Sequence, residues 1–225
     1  MSIKSFPQSN LPTGAEPTPD HIAEQIEPFD PTQFSVPPAC AFHWPDGIES
    51  WKNFAFGDCV TAEEAFAKAA DINVGNRFVL TNETVVGRAY LSDALNSKWL
   101  TDTLGELQKN GFRSGGYEYR NGTFTYIQRQ GDTLDIPTLQ TAIANKGPVK
   151  IAMSAGTFGE GTGSVTYGEN GWLIFGGPSG KPYNHCVSIC GYGSYDYLKA
   201  QFQAQGVTLA DNASKPAGMY YALFT

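Results

Sequence analysis

Cys59 and His185 are the residues of this chain whose types and settings could do covalent chemistry. In "FAFGDCVTAEEAFAKAA", residues 54–70, Gly57 and Asp58 interrupt regular structure and a run of good helix formers begins at Cys59. The unpaired amides and dipole at a helix start favour negative charge, and the thiolate is the nucleophilic form of cysteine. A neighbouring imidazole would lower the thiol pKa further and could serve as base and acid in turn. Three histidines are available. His21 lies in a Pro-rich N-terminal stretch and His43 in the turn-rich "ACAFHWPDG", whereas His185 heads "NHCVSICGYG" after the turn "GPSGKPYN". A loop-to-strand junction therefore presents His185 while the apolar residues behind it anchor it. Taken singly, each residue is an ordinary packed side chain; the pair points to nucleophilic catalysis.

Asp58, directly before the cysteine, would oppose thiolate formation if its carboxylate entered the site. At a helix start it is expected to act as the N-cap instead. Cys186 and Cys190 are four apart on an expected strand and share a face, but a structural zinc wants four ligands and only His185 is near, so no metal is expected. Cys40, Cys59, Cys186 and Cys190 have neither the density nor the spacing of a disulfide scaffold.

Several elements must position the pair. "AEEAFAKAADI" has Ala62, Ala65, Phe66 and Ala69 at the spacing of a helix with one buried face. "SDALNSKWLTDTLGELQKNGF" predicts a second helix with Leu100, Leu104 and Leu107 on one side, Thr101 or Ser97 as cap and Gly111 as stop. "DIPTLQTAIANKG" predicts a third, with Pro137 in its first turn, Leu139 and Ile143 at helical spacing and Gly147 ending it. Strands follow in "PVKIAMSA", "GWLIF", "HCVSICGYG" and "MYYALFT", with a short helix and a loop in "SYDYLKAQFQAQGVTLADNASKPAG" before the last. Helices leading and strands following imply an α+β fold. Residues 1–36 are Pro-rich and polar, with a short helix expected around "PDHIAEQIEPF" and Asp20 as its cap, and are set apart as an extension or propeptide-like arm. Residues 37–225 form the expected domain, helical to about 145 and β from about 146.

With 225 residues, a net charge of −7 and a pI near 4.9, the chain offers no basic patch for nucleic acid or an anionic membrane. It has no apolar run long enough to span a bilayer and its start, "MSIKSFPQSNLPTGAEP", lacks the apolar segment of a secretory signal, so the expectation leans to a cytoplasmic protein.

The segment "NHCVSICGYG" resembles the histidine strand of the papain-like cysteine peptidases, Asn-His-Ala-Val…Gly-Tyr-Gly, with Cys186 in the alanine position. In that family a cysteine opens the central helix. Here 126 residues separate Cys59 from His185, slightly fewer than the roughly 130–150 of papain-type enzymes. "LQTAIANKGPVKIAM" is similar to the helix and strand that precede the family's histidine, "LTDTLGELQKNGF" to its second helix, and "VPPACAFHW" to the segment near its mature start. The resemblance covers about residues 36–193. It implies a papain-like α+β protein in which Cys59 and His185 form a dyad. It also implies that Asn53, six before Cys59 where the family has glutamine, donates its amide to an oxyanion hole together with the Cys59 N–H.

The departures are specific. "GDCVTAEEAF" replaces the usual Cys-Gly-Ser-Cys-Trp block and resembles a divergent, bacterial branch with Gly-Asp-Cys. The Asn-Ser-Trp-Gly motif that orients the imidazole is absent, so the chain either stops short of it, uses Asn212 in "LADNAS", or lacks a third member. The function implied is a cysteine peptidase acting on peptide or protein substrates without a cofactor. The alternatives are a catalytically weak or inactive binding or structural module and an amidase or transglutaminase-like acyl transferase. Tyr167, Trp172, Phe175 and Tyr183, near the histidine loop, are candidates to line a cleft, core packing being the plainer reading.

Overall fold

The computed structural model describes residues 15–16, 18–45, 51, 57–70, 80–95, 98–127, 129–130, 133–153, 164–167, 172–175, 185–209 and 217–224. Its centre is strand β11 (His185–Gly193). One edge of β11 pairs antiparallel with β12 (Tyr220–Phe224), with a register shift between Ile189 and Gly191. The other edge takes β8 (Val149–Met153) along its first half and β2 (Ala41–Phe42) near its end, both antiparallel. Gly191 is required at the β2 crossing, because a Cβ there would stand 2.7 Å from the Ala41 carbonyl oxygen. β2 comes from the early, helical part of the chain. The sheet is therefore not built from the late strands alone, and short strands stand among the helices of the first part of the chain.

Alternation along the strands divides the core between the two faces of this sheet. On one face Ile189, Tyr192, Tyr221 and Leu223 pack with Leu139 and Ile143 of the helix Ile136–Lys146. That helix begins as the sequence predicts: Asp135 accepts from the Thr138 N–H and Pro137 occupies the first turn. On the other face Cys190, Ala222 and Phe224 pack with Ala62, Ala65 and Phe66 of the helix Cys59–Ala70, and with Leu198 and Phe202 of the helix Tyr195–Ala204. Phe66 stacks on Phe224 with ring centroids 4.2 Å apart, and Trp44 meets both rings and Phe202 edge-on. In chain order the helices are α1 (Asp20–Ala23), α2 (Cys59–Ala70), α3 (Asn82–Leu91), α4 (Leu100–Asn110), α5 (Ile136–Lys146) and α6 (Tyr195–Ala204).

Two local expectations are corrected. Asp20 is the first residue of α1 and not its cap, since Pro19 supplies the carbonyl that accepts from Ile22 and Ala23. α4 starts after Trp99 with no side-chain cap, so Thr101 lies inside the helix, and Ser97 falls outside the described residues. Helix α3 was not legible in the hydrophobic pattern. Thr81 caps it through the Thr84 N–H, but only Val85 and Ala89 bury, leaving Tyr90 and Leu91 exposed.

The N-terminal arm is tied to the helical part at several points. Its β1 (Ala15–Glu16) pairs in parallel with β3 (Lys98–Trp99), just before α4. Ala15 is buried there. Further along, Phe29 donates its N–H to the Tyr126 carbonyl and Asn145 reaches the Ser35 carbonyl.

Candidate active site

Gly57, at φ +65°, turns the chain into α2, and the Asp58 carbonyl accepts from the Thr61 and Ala62 amides at 2.9 Å, so Asp58 occupies the cap position. The cap bond expected of its side chain is absent: both carboxylate oxygens are buried without a hydrogen-bond partner among the described residues. Burial pushes its carboxyl up to about 6. Cys59 is the first helical residue, where the dipole favours a thiolate, and it is fully buried. It packs in a small cluster with Val60, Ala89, Ala94, Cys186 and the arm residue Ala15, bordered by Leu95 and Leu100.

Helix α2 lies against β11, and Cys186, which shares the Cys59 cluster, directly follows His185. The fold thus brings the first turn of α2 to the first residues of the histidine strand. His185 is partly buried and pairs in register with Met153 of β8. Burial lowers its pKa to about 4, so the imidazole is neutral at physiological pH. His43 is placed elsewhere, its N–H on the Cys190 carbonyl, at the far end of the same strand. Asn53, Asn212 and Tyr183 lie outside the described residues. Tyr167 and Trp172 pair across the hairpin of β9 (Ser164–Tyr167) and β10 (Trp172–Phe175), on which Phe175 also lies.

Behind Cys59 the interior is polar to a degree the sequence reading missed. Glu63 and Glu64 are buried on α2, and Lys150 of β8 sits 2.5 Å from Glu64 Oε1. Glu63 faces Ser188, which stands opposite Lys150 in the β8–β11 register. Burial holds the Glu63 carboxyl well above the usual carboxylate range. The signal available was a pair of acids four and five residues past the cysteine, adjoining the apolar stripe of the same helix. Cys186 and Cys190 are also pushed up by burial, which makes them inert thiols. No group of three or more candidate metal ligands occurs among the described residues. No helix among them is long and apolar enough to cross a membrane.

No protein-family model matches the sequence, and no curated protein matches it. Among solved structures the chain is similar to digestive procathepsin L 3 of Tenebrio molitor larval midgut, at TM-score 0.50 and 14% identity over 82% of this chain. It is similar to digestive procathepsin L2 proteinase of the same midgut at TM-score 0.50 and 18% identity over 80% of this chain. The chain spans less than two thirds of either structure, 62% and 64% respectively. At such identities the likeness concerns the fold, and it agrees with a buried helix opened by cysteine against an antiparallel sheet opened by histidine: the chain has a papain-like α+β fold.

Proposed function

We propose that the chain is a cysteine peptidase of the papain-like kind, from a divergent bacterial branch, with Cys59 as nucleophile and His185 as its acid–base partner. The observation that carries the reading is the meeting of the Cys59 turn of α2 with the start of β11. In the reaction His185 takes the Cys59 thiol proton as the sulfur attacks a peptide carbonyl, and the oxyanion takes hydrogen bonds from the Cys59 amide and the Asn53 side chain. His185 then gives a proton to the leaving amine as the C–N bond breaks, leaving a thioester. The same imidazole removes a proton from water, which attacks the thioester and releases the acid and the Cys59 thiol.

Cys59 is fully buried with Ala15 in its cluster, a closed arrangement in which no substrate carbonyl can reach the sulfur. The reading therefore assigns the arm a propeptide-like role: β1 lies on β3 and is displaced before turnover. Opening would also return water to His185 and raise its pKa from about 4 towards its ordinary value. Similarity to proenzymes, as both procathepsin names imply, supports this assignment.

The test is the rate of Cys59 alkylation by iodoacetamide against pH, read by peptide mass spectrometry, in the parent chain, Ala15→Trp, and Ala15→Trp with His185→Ala. Expected is labelling at least about tenfold faster in Ala15→Trp, with a midpoint well below the ordinary thiol value of about 8.5 that is lost without His185. Labelling that follows an ordinary thiol and ignores His185 overturns the catalytic reading and leaves a papain-shaped binding module. If the thiol is activated, product analysis with added amine separates hydrolysis from acyl transfer.

A further inference from the structure

The contact between α2 and β11 is built in steps. Cys59 packs with Cys186, Glu63 faces Ser188, and Phe66 shares a cluster with Cys190. Each step advances three or four residues on the helix and two on the strand. These are about 4.5–6 Å and about 6.7 Å respectively, so the two repeats are nearly commensurate. Apolar contact is non-directional, and the small Cys59–Cys186 pair at one end of this interface would tolerate a slide of one step.

The middle step would not. Ser188 and Lys150 are register partners, so they project from the same face of the sheet, and both meet α2. Lys150 Nζ reaches Glu64 Oε1 at 2.5 Å with both side chains largely buried. A one-step slide would carry Glu64 about 6 Å along its axis and leave two buried charges without partners. The titratable groups that act on Cys186, the β11 neighbour of Cys59, are Cys59 itself, Glu63 and Glu64 on α2, and Lys150 on β8.

We propose that Glu64 and Lys150, supported by Glu63 and Ser188, are positioning residues that pin α2 to one register on the sheet and hold Cys59 level with the start of the histidine strand. The catalytic consequence rests on the peptidase reading; the pin itself does not. Because the pair is neutral only while complete, its two halves act on the Cys59 thiol with opposite sign.

The experiment is a 13Cβ-cysteine NMR titration of the full chain, with the Cys59 signal assigned by its loss in Cys59→Ala. Lys150→Met leaves a buried carboxylate and is expected to raise the Cys59 midpoint by about one pH unit, while Glu64→Gln leaves a buried ammonium and lowers it by a similar amount. Lys150→Met with Glu64→Gln returns it to within about 0.3 of the parent. A structural role alone would move both single variants the same way. That outcome, or native-like single variants with no shift, overturns the proposal. Where either single variant does not fold, recovery of folding in the double variant supports the pin and failure to recover overturns it. Ordinary alkylation of Cys59 would remove the peptidase reading and leave this result standing; an activated Cys59 with unshifted variants would do the reverse.

Discussion

The two ends of the α2–β11 contact are made of different materials. At the C-terminal end Phe66, Cys190, Phe224 and Trp44 form an aromatic interior whose attachment is broad and apolar. At the N-terminal end Asp58, Glu63, Glu64, Lys150 and Ser188 surround a small apolar cluster that holds Cys59. The first end supplies adhesion, because burying aromatic surface is the largest favourable term available to a domain of this size. The second end supplies placement, since buried polar groups tolerate few arrangements. Reactive groups gain from being held at the placed end rather than the adhesive one.

Phe66→Ala breaks the adhesive end and carries the largest expected effect, a loss of about 4 kcal/mol in denaturant unfolding, from removing a stacked ring and leaving a cavity. Asp58→Asn relieves the placed end. The Asp58 carboxyl titrates near 6 in the folded chain and near 3.8 unfolded, so its contribution is present below about 4 and lost as pH rises through about 6. The variant should therefore gain roughly 2 kcal/mol at pH 7 and nothing at pH 3.5, as measured by urea unfolding at both values.

His185 runs in the opposite sense. Its pKa falls from 6.5 to about 4, so its contribution is complete above about 6.5 and lost as pH drops to 4. The His185 slope thus opposes the falling slopes of Asp58 and Glu63 between pH 4 and 6, and His185→Gln should steepen the loss of stability with rising pH in that range. A slope rising with pH in that variant would contradict the assignment. Cys186→Ala sharpens the comparison further. It removes only a buried sulfur from the Cys59 cluster, with an expected loss of about 1 kcal/mol and a Cys59 titration that moves little. Last, Glu118→Gln removes exposed pairings with Arg113 and Arg120 at the hairpin of strands Phe112–Ser114 and Tyr117–Tyr119, and the melting temperature should not change measurably.

Much of the fold was legible because its signals are local. α2, α4 and α5 announce themselves by apolar spacing and by Gly111 and Gly147 as stops, and β8, β10, β11 and β12 by short apolar runs between turns. Helix α3 escaped because two buried residues in ten make no stripe. In the site, Cys59 at the mouth of α2 and His185 at the head of β11 were readable from the residues before them. Glu63 and Glu64 were not, since acids beside an apolar stripe ordinarily face solvent and nothing nearby in sequence announces Lys150.

What the sequence determined by itself is the strongly patterned elements, α2, α4, α5, β8, β10, β11 and β12, and the place of Cys59 and His185 within theirs, because backbone hydrogen bonding, glycine and proline geometry and side-chain periodicity act over a few residues. What only the tertiary structure decided is which elements meet: Ala15 in the Cys59 cluster, β2 completing the edge of β11, and Lys150 against Glu64. Those contacts join residues far apart in the chain. They arise when whole faces are buried together, and a face's partner is chosen by the shape and charge of every other face at once.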